Sequence, residues 1–211
     1  MTAYNLFMSP HLCYSYPMAV KDTLQMGNPR LKAKNKSIKR FDSLRLKQVV
    51  TDLVETMHQN GLVGLAAPQI GENYQVFITE PRKTKTRTAD QADKLRVYIN
   101  PKVVYSSKEE SIIYEGCGSV AHGDLFGPVK RPKLVVIEAY DQNRQKFHLR
   151  CDGLLARVIQ HEYDHLSGIE FTEKIIDYKK LMNRDFYVKG IKNSPQETKA
   201  CVITIKQYSQ V

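Results

Sequence analysis

The sequence contains no tryptophan and only four cysteines, and none of its apolar runs is long. The cysteines are far apart and form no C-x-x-C pair, which argues against a disulfide-stabilised secreted scaffold and favours a reducing compartment. A helix that crosses a bilayer needs about 20 consecutive apolar residues, and no stretch approaches that length. The first twenty residues lack Lys and Arg, so the basic region of a signal peptide and the Arg-rich character of a transit peptide are both missing. We therefore expect a soluble cytoplasmic protein rather than an organellar one.

Length and composition predict one globular domain over residues 1–211. Apolar residues make up 42% of the chain and charged residues 26%, a mixture that excludes wholesale disorder. A domain of this size hides roughly 70% of the surface that the unfolded chain exposes, which is enough to hold a preformed site. Within the domain we expect an irregular N-terminal segment at residues 1–25 and a basic C-terminal extension at residues 176–211.

The apolar pattern predicts two long helices and several short strands. Over residues 43–60 apolar side chains recur at helical spacing, and Asp42 or Ser43 can cap the start. A second helix is predicted from Gly153 to Leu166, after the cap Asp152. Short strands around two helices predict an α+β fold. The predicted strands are Gln75–Thr79, Arg96–Asn100, Ser111–Tyr114, Lys133–Tyr140, Lys146–Leu149 and Val202–Lys206.

The segment His161-Glu162-Tyr163-Asp164-His165 has the pattern H-E-x-x-H. Residues four apart lie on one face of a helix, so both imidazoles can bind a single cation, and Glu162 is placed to take a proton from water. The alternative is two surface histidines on a charged helix. Apolar residues surround the motif, however, and buried histidines need partners that a shared metal supplies. We therefore predict a central metal-binding helix with antiparallel β-sheets packed around it.

Two histidines do not complete such a site, because a catalytic ion commonly takes three protein ligands. Phe171 stands where a metzincin protease has its third histidine. Cys117 lies between two glycines, which allow close approach of the backbone, and a thiolate is a strong ligand for borderline divalent ions. A lone cysteine is nevertheless more often a small buried apolar residue. The residues alone leave the third ligand open between Cys117 and the downstream carboxylates Glu170, Glu173, Asp177 and Asp185.

Three segments together resemble the signature motifs of the peptide deformylases. They are Gly64–Gln69 (GLAAPQ), Glu115–Ser119 (EGCGS) and Gln160–His165 (QHEYDH), in this order and spacing. The resemblance covers about residues 24–175. Deformylases are hydrolases that remove the N-formyl group from the initiator methionine of newly made polypeptides and release formate. The resemblance implies the same reaction for this chain.

The resemblance also implies a ligand set and a metal. One cysteine and two histidines hold the ion in this family, and the matching positions are Cys117, His161 and His165. Fe²⁺ is the native ion of the bacterial enzymes, and Zn²⁺, Ni²⁺ or Co²⁺ often replaces it. A thiolate donates more charge than an imidazole does, so we expect it to temper the Lewis acidity of the ion and to widen the range of ions that the site accepts.

The same resemblance assigns Glu162 as the general base. It implies that the Gln69 amide polarises the formyl oxygen together with the backbone N–H of Gly118. The loss of one such donor typically costs about 10²–10³ in rate. The substrate peptide is expected to pair with backbone positions like an added strand. The predicted substrate-binding residues are Val63, Gly64, Glu115, Gly116, Leu154, Arg157 and Val158.

Several positions depart from the family pattern. Leu62 stands where a glycine is common, and Gly118 replaces the commoner leucine after the cysteine. Arg157 stands where many bacterial members have an apolar pocket residue; it either contacts substrate or bends toward solvent or an acidic partner. The forms of residues 156–161 and 115–120 resemble the organellar-type branch of the family. We expect these changes to shift side-chain selectivity while deformylation stays intact.

The chain is strongly basic, with 32 Lys and Arg residues against 22 Asp and Glu and a net charge of +10. Such an excess favours contact with polyanions, and docking on the ribosome suits an enzyme that acts on emerging chains. The alternative is a surface whose charges are only solvated. The candidate contacts are the insert 81–96 and the stretch Lys179–Lys192. We expect no membrane partner and no sequence-specific binding of nucleic acid.

Two other functions fit parts of the sequence. A zincin-like endopeptidase would use one of the downstream carboxylates as its third metal ligand. A basic protein associated with the ribosome or with RNA would hold the metal for structural reasons alone. The first depends on Cys117 being no ligand, and the second depends on Glu162 having no part in hydrolysis.

Overall fold

The computed structural model describes residues 20–210 and has an α+β architecture with antiparallel sheets, as the sequence predicts. Short 3₁₀ turns connect many of the elements. The α-helices are α1 (Leu44–Gln59), α2 (Gly153–Leu166), α3 (Arg184–Gly190) and α4 (Pro195–Cys201). The strands are β1 (Gly64–Ala66), β2 (Val76–Thr79), β3 (Arg96–Ser106), β4 (Glu110–Gly116), β5 (Leu125–Pro132), β6 (Leu134–Tyr140), β7 (Lys146–Asp152), β8 (Met182–Asn183) and β9 (Lys206–Gln210).

The strands form two sheets. The larger sheet has six strands in the order β1-β2-β3-β6-β7-β9, and the smaller has three in the order β4-β5-β8. Every neighbouring pair is antiparallel. Within the described part of the chain, β1 pairs with β2 alone and β4 with β5 alone, so each of them keeps one edge open to another strand.

Helix α2 packs its apolar face against the larger sheet. Leu155, Ala156 and Ile159 are buried in one cluster with Phe77 and Tyr98, whose rings stack with centroids 4.4 Å apart. Full burial of a large aliphatic or aromatic side chain contributes roughly 1.5–3 kcal/mol. This packing holds the helix in place. The polar side chains at its other positions therefore project from a fixed backbone.

Helix α1 confirms the first helical prediction to within a residue at each end. Ser43 caps it, because its side-chain oxygen accepts the backbone N–H of Leu46 at 3.3 Å. The apolar stripe, which includes Val49 and Leu53, is buried in a second cluster with Leu65 and other residues of β1–β3. Helix α1 therefore packs against β1 through this buried cluster.

Strand β3 is longer than the sequence predicts. It continues through Pro101 to Ser106, although the proline was expected to end it at Asn100. The register of β3 against β6 shifts between Ile99 and Lys102. A bulge of this kind accommodates a residue that has no N–H to donate to the ladder.

The C-terminal extension is more regular than the sequence predicts. The predicted strand Val202–Lys206 is wrong: the backbone N–H of Ile203 donates to Asp90 O, and the last strand, β9, follows at Lys206–Gln210 beside β7. Helices α3 and α4 precede it. The predicted irregular segment 1–25 lies outside the described residues as far as residue 19, and residues 20–25 have no regular structure. Within residues 20–210, no helix has both the length and the apolar character that a membrane crossing requires.

Candidate metal centre

Three side chains that can ligate a metal meet where α2 faces the loop after β4. Cys117 directly follows β4, and His161 and His165 lie one turn apart on α2. One ligand atom from each lies within 4.8 Å of the others, and all three residues are buried. Cys117 Sγ is 3.3 Å from His165 Nε2. A thiolate and two imidazoles suit a divalent transition-metal ion, so the residues present fit the predicted cofactor.

Three of the four downstream carboxylates lie near lysines. Glu170 and Glu173 lie 3.6 and 2.6 Å from Lys32 Nζ, and Asp177 lies 3.7 Å from Lys180 Nζ. Across residues 20–210, the one cluster of three potential ligands is that of Cys117 with the two histidines. This arrangement favours the cysteine over a carboxylate as the third ligand.

Glu115, the residue at the end of β4, orients the first histidine. Its Oε2 is 2.9 Å from His161 Nδ1, which leaves Nε2 of that ring to face a metal. Arg131 on β5 donates to both oxygens of the carboxylate, at 2.7 and 2.9 Å, and to Asp164 at 2.5 Å. Burial raises the pKa of Glu115, but the Arg131 charge and the His161 hydrogen bond outweigh it and hold the pKa well below its ordinary value. The carboxylate therefore stays ionised and keeps one tautomer of His161.

Arg157 lies on α2, one turn before His161, and its side chain is buried. Its guanidinium donates to Glu115 Oε1 at 2.8 Å, to Val129 O at 3.0 Å and to Ser111 O at 2.7 Å. Burial lowers the pKa of Arg157, and the Glu115 charge opposes that shift. Of the orientations that the sequence leaves open, the structure has the one in which Arg157 meets an acidic partner.

Glu162 lies beside the ligand cluster and is also buried. Its Oε2 has no hydrogen-bond partner among residues 20–210. Gly64 makes room for this carboxylate, because a Cβ at that position would lie 2.6 Å from Glu162 Oε1 and 2.6 Å from Val158. Burial raises the pKa of Glu162 to about 7, and the nearby His161 opposes the shift. A carboxyl group with such a pKa can both accept and release a proton near neutral pH.

Gln69 directs an amide N–H toward the ligands. Its Oε1 accepts the backbone N–H of Ala66 at 2.8 Å, so the orientation of the amide is fixed. Its Nε2 donates to Cys117 Sγ at 3.4 Å and to Ser119 Oγ at 3.2 Å. The backbone N–H of the neighbouring Gly118 has no acceptor within the described residues, while its carbonyl accepts from Thr23. Two donors thus stand next to the ligand cluster.

A cavity of about 600 Å³ opens onto this cluster. His165 is buried and is not among the residues that line the cavity. Further apolar wall residues that sequence reasoning missed are Ile113 and Phe126. The predicted site residues that line the cavity are Val63, Gly64, Gln69, Glu115, Gly116, Cys117, Gly118, Leu154, Arg157, Val158, His161 and Glu162.

Sequence reasoning also missed Arg131 as the partner of Glu115. The two residues are 16 positions apart and meet because β4 and β5 form a hairpin. The signal that could have revealed the pair is an acidic residue in β4 and a basic residue in the next strand, each beside apolar residues, since buried charges need partners.

The match to known families agrees with this geometry. Residues 20–181 match the model of the family described as polypeptide deformylase. The chain is 36% identical to the peptide deformylase of Dictyoglomus thermophilum over 158 residues, which cover 75% of this chain and 94% of that protein. It is 33% identical to the peptide deformylase of Pseudothermotoga lettingae over 83% of this chain and 94% of that protein.

Solved structures show the same fold. A class I type b peptide deformylase from Acinetobacter baumannii with Met-Ala-Ser bound superposes with a TM-score of 0.69 at 29% identity, over 75% of this chain and 99% of that one. A peptide deformylase from Synechococcus elongatus in complex with actinonin gives a TM-score of 0.67 at 31% identity, over 76% of this chain and 83% of that one.

Proposed function

The chain belongs to the peptide deformylase family and removes the N-formyl group from newly made polypeptides; we propose that it does so with a divalent metal ion held by Cys117, His161 and His165. The observation that carries this ligand set is the approach of their three ligand atoms to within 4.8 Å of one another in a buried position beside a cavity. When bound, such an ion acts as a Lewis acid that lowers the pKa of water and polarises a carbonyl oxygen.

We propose Fe²⁺ as the native ion, with Zn²⁺, Ni²⁺ or Co²⁺ as possible replacements. The support is the donor set itself, because one thiolate and two imidazoles suit borderline ions and do not discriminate sharply among them. Metal analysis of protein purified without oxygen tests this choice directly.

We propose that Glu162 moves the proton in the reaction. Its Oε2 accepts a proton from the attacking water and then delivers it to the nitrogen of the departing amine, so that formate and a free N-terminus are released. The support is a buried carboxylate oxygen without a partner among residues 20–210, together with a pKa of about 7. Proton transfer by a positioned side chain contributes typically about 10²–10⁴ in rate.

Gln69 and Gly118 are proposed to stabilise the oxyanion that develops on the formyl oxygen. Gln69 and Gly118 both line the cavity next to Cys117; Gln69 Nε2 is 3.4 Å from Cys117 Sγ, and the Ala66 contact holds the Gln69 amide in place. Because the donors are positioned before substrate binds, little reorganisation is needed when charge develops.

The substrate peptide is proposed to lie between the open edges of β1 and β4. Val63 and Gly64 stand at one edge, and Gly116 at the other, where a Cβ would lie 2.7 Å from the Phe126 ring. Leu154 and Val158 provide an apolar wall for the methionine side chain. Glu115 and Arg157 also line the cavity, but they form an ion pair with each other and hydrogen bonds with neighbouring groups.

A formate-release assay on a formyl-Met-Ala-Ser peptide tests these roles. Glu162→Gln should keep its metal and lose about 10²–10⁴ in kcat. Cys117→Ala should lose the metal, whereas the control Cys151→Ala, which removes a buried thiol outside the ligand cluster, should keep it. Full metal content in Cys117→Ala, or normal turnover in Glu162→Gln, would overturn the corresponding role.

We also propose a cytoplasmic location and docking of the basic surface on the ribosome. The wide spacing of the four cysteines supports the location, and the net charge of +10 together with exposed lysines in the insert 81–96 supports the docking.

A further inference from the structure

The outer wall of the cavity comes from two segments outside the three sequence motifs. One is the insert 81–96, which contributes Arg87, and the other is the C-terminal extension, which contributes Arg184, Tyr187 and Lys192. The match to the family model ends at residue 181, so this part of the extension lies beyond it. The wall is therefore a feature of this chain that the shared motifs do not account for.

Direct contacts hold the insert and the extension together. Gln91 Nε2 donates to Thr198 O at 3.0 Å, and the Ile203 N–H donates to Asp90 O at 2.9 Å. The ring of Tyr187 stacks on Phe126, with centroids 4.2 Å apart and an angle of 6° between the planes. These contacts fix the wall against β5, next to the backbone of Gly116.

Three cations of this wall face the cavity. No ion pair joins Arg87, Arg184 or Lys192 to a carboxylate within the described part of the chain; Arg87 Nη1 instead donates to Arg82 O at 2.9 Å. Arg87, Arg184 and Lys192 line the same cavity, and burial together with the repulsion of the two arginines lowers the pKa of Lys192. Cations that line one cavity without a paired carboxylate attract an anionic ligand more strongly than cations that already have a counterion.

Three carboxyl groups line the same cavity, those of Asp22, Glu115 and Glu162. Glu115 is paired with two arginines, and Glu197, which lies nearby, accepts the Tyr114 N–H at 3.0 Å. Among the described residues no carboxylate forms an ion pair with the three cations of the wall, so their charges are available to an anionic ligand.

The path of the peptide leads to this wall. Glu197 occupies the open edge of β4 at Tyr114, so pairing of an added strand with β4 ends at Gly116. A peptide whose formyl group lies at Cys117 must leave β4 there and pass the residues of the wall. Arg87, Arg184 and Lys192 line the same cavity as Gly116 and Cys117.

We propose that Arg87, Arg184 and Lys192 form a subsite for a carboxylate of the substrate peptide, located after the formyl-methionine. This inference rests on the proposed function, because it places the formyl group at the metal centre. The carboxylate is supplied by an acidic side chain at the second or third residue or by the free C-terminus of a short peptide.

Two pairs of formylated tripeptides test the subsite. The first pair is C-terminally amidated and differs by Glu against Gln, placed in turn at the second and third positions. The second pair has neutral side chains and differs by a free against an amidated C-terminus. In the wild-type holoenzyme we expect kcat/KM to favour the carboxylate by about tenfold in at least one pair, the ratio expected for a charge-assisted hydrogen bond in a partly buried site. The pair that shows the preference identifies the source of the carboxylate.

Variants assign the preference to the wall. In Arg184→Gln and Lys192→Gln the ratio should fall to about threefold, and in the double variant to about one. Lys189→Gln and Lys85→Gln remove equal charge from α3 and from the insert at positions that do not line the cavity, and they should keep the wild-type ratio. Equal rates within both pairs for the wild type, or the same loss in the control variants, would overturn the subsite. Absence of formate release from the neutral amidated peptide would instead contradict the proposed function.

Discussion

Glu115 joins His161, a proposed metal ligand, to two buried guanidinium groups, those of Arg131 and Arg157. All four side chains are nearly inaccessible, so each charge depends on its neighbours for the hydrogen bonds that water would otherwise supply. A histidine ligand whose second nitrogen donates to a carboxylate is held in one tautomer and one orientation. Buried charges that do not contact the proposed ion therefore fix the orientation of His161.

Glu115→Gln should weaken metal binding and folding together. We expect metal affinity to fall by about 10–100-fold, because His161 loses the group that orients it. The free energy of unfolding should fall by about 3–5 kcal/mol, because Arg157 keeps a buried charge without its carboxylate partner and Arg131 keeps only Asp164. Metal content after dialysis against a chelator and urea unfolding measure the two effects.

The matched control for this variant is Glu138→Gln. Glu138 makes the same kind of pair, with Oε2 2.8 Å from His148 Nε2, but both side chains are partly exposed. An exposed pair contributes roughly 0–1 kcal/mol, so this variant should be nearly as stable as the wild type. Equal metal retention in the two variants would contradict the role assigned to Glu115.

Glu197 makes stability depend on pH. It is a buried carboxyl group whose Oε1 accepts the Tyr114 N–H at 3.0 Å. Burial raises its pKa to about 7, while the Tyr114 hydrogen bond and Arg157 oppose the shift. The folded protein therefore binds this proton more tightly than the unfolded chain does, so the stability that protonation adds is present at low pH and is lost as the pH rises through about 7.

Glu197→Gln keeps an acceptor for Tyr114 and removes the titration. Relative to the wild type, the variant should gain about 1–3 kcal/mol of stability between about pH 5 and about pH 8. Urea unfolding at the two pH values measures this gain. Glu109→Gln, at an exposed carboxylate paired with Lys133, is the control and should run parallel to the wild type. Parallel behaviour of Glu197→Gln as well would show that burial of this carboxylate costs nothing.

Helix α2 begins at a residue that has to be glycine. Gly153 has a φ of +59°, and a Cβ there would lie 2.1 Å from Val202 O. Conformation and contact both exclude a side chain. The C-terminal extension therefore packs directly on the start of the element that carries the histidine ligands.

Gly153→Ala should lower the free energy of unfolding by more than about 2 kcal/mol, because the backbone of α2 or of the extension has to move. Gly190→Ala is the control: it lies in a helix with nothing within 4 Å of the added Cβ, so it should be neutral or stabilise by about 0.5–1 kcal/mol. Urea unfolding of both variants measures the difference. Wild-type stability of Gly153→Ala would contradict the tight contact between α2 and the extension.

Elements with a regular apolar pattern could be predicted from the sequence, and elements that depend on distant contacts could not. Helices α1 and α2 keep a helical stripe over their whole length, and both were predicted within about a residue. Strand β5 contains Gly127, Pro128 and Pro132, which hide its alternation although it forms a full hairpin with β4. Helices α3 and α4 have seven residues each and no apolar stripe of their own, so their positions follow from contacts such as the stacking of Tyr187 on Phe126.

The same distinction applies to the site. The proposed ligands and Glu162 belong to short segments whose residue types indicate metal binding and proton transfer. They could therefore be predicted from the sequence. The pairing of Arg157 with Glu115 joins residues 42 positions apart, and the cationic wall joins residues from the insert and the extension. Such contacts are a property of the folded chain, and no local pattern records them.

The positive charge of the whole molecule has several locations. Arg131 and Arg157 are buried and Lys192 is half-buried, so these cations contribute less to the outer surface than a count from the sequence suggests. Exposed lysines remain in the insert, and Lys83 and Lys85 are among them. A polyanionic partner of the outer surface would therefore meet the lysines of the insert more readily than the buried arginines.

If the insert docks on ribosomal RNA, the double variant Lys83→Gln/Lys85→Gln should bind ribosomes more weakly and with a flatter salt dependence. Each lost phosphate contact lowers the slope of log affinity against log salt by about one, because fewer counterions are released on binding. Co-sedimentation over a salt series measures this slope for the holoenzyme. Lys102→Gln/Lys108→Gln removes equal charge at exposed positions outside both basic segments and should keep the wild-type slope. Identical slopes for the two variants, or wild-type binding that does not respond to salt, would mean that the lysines of the insert are only solvated.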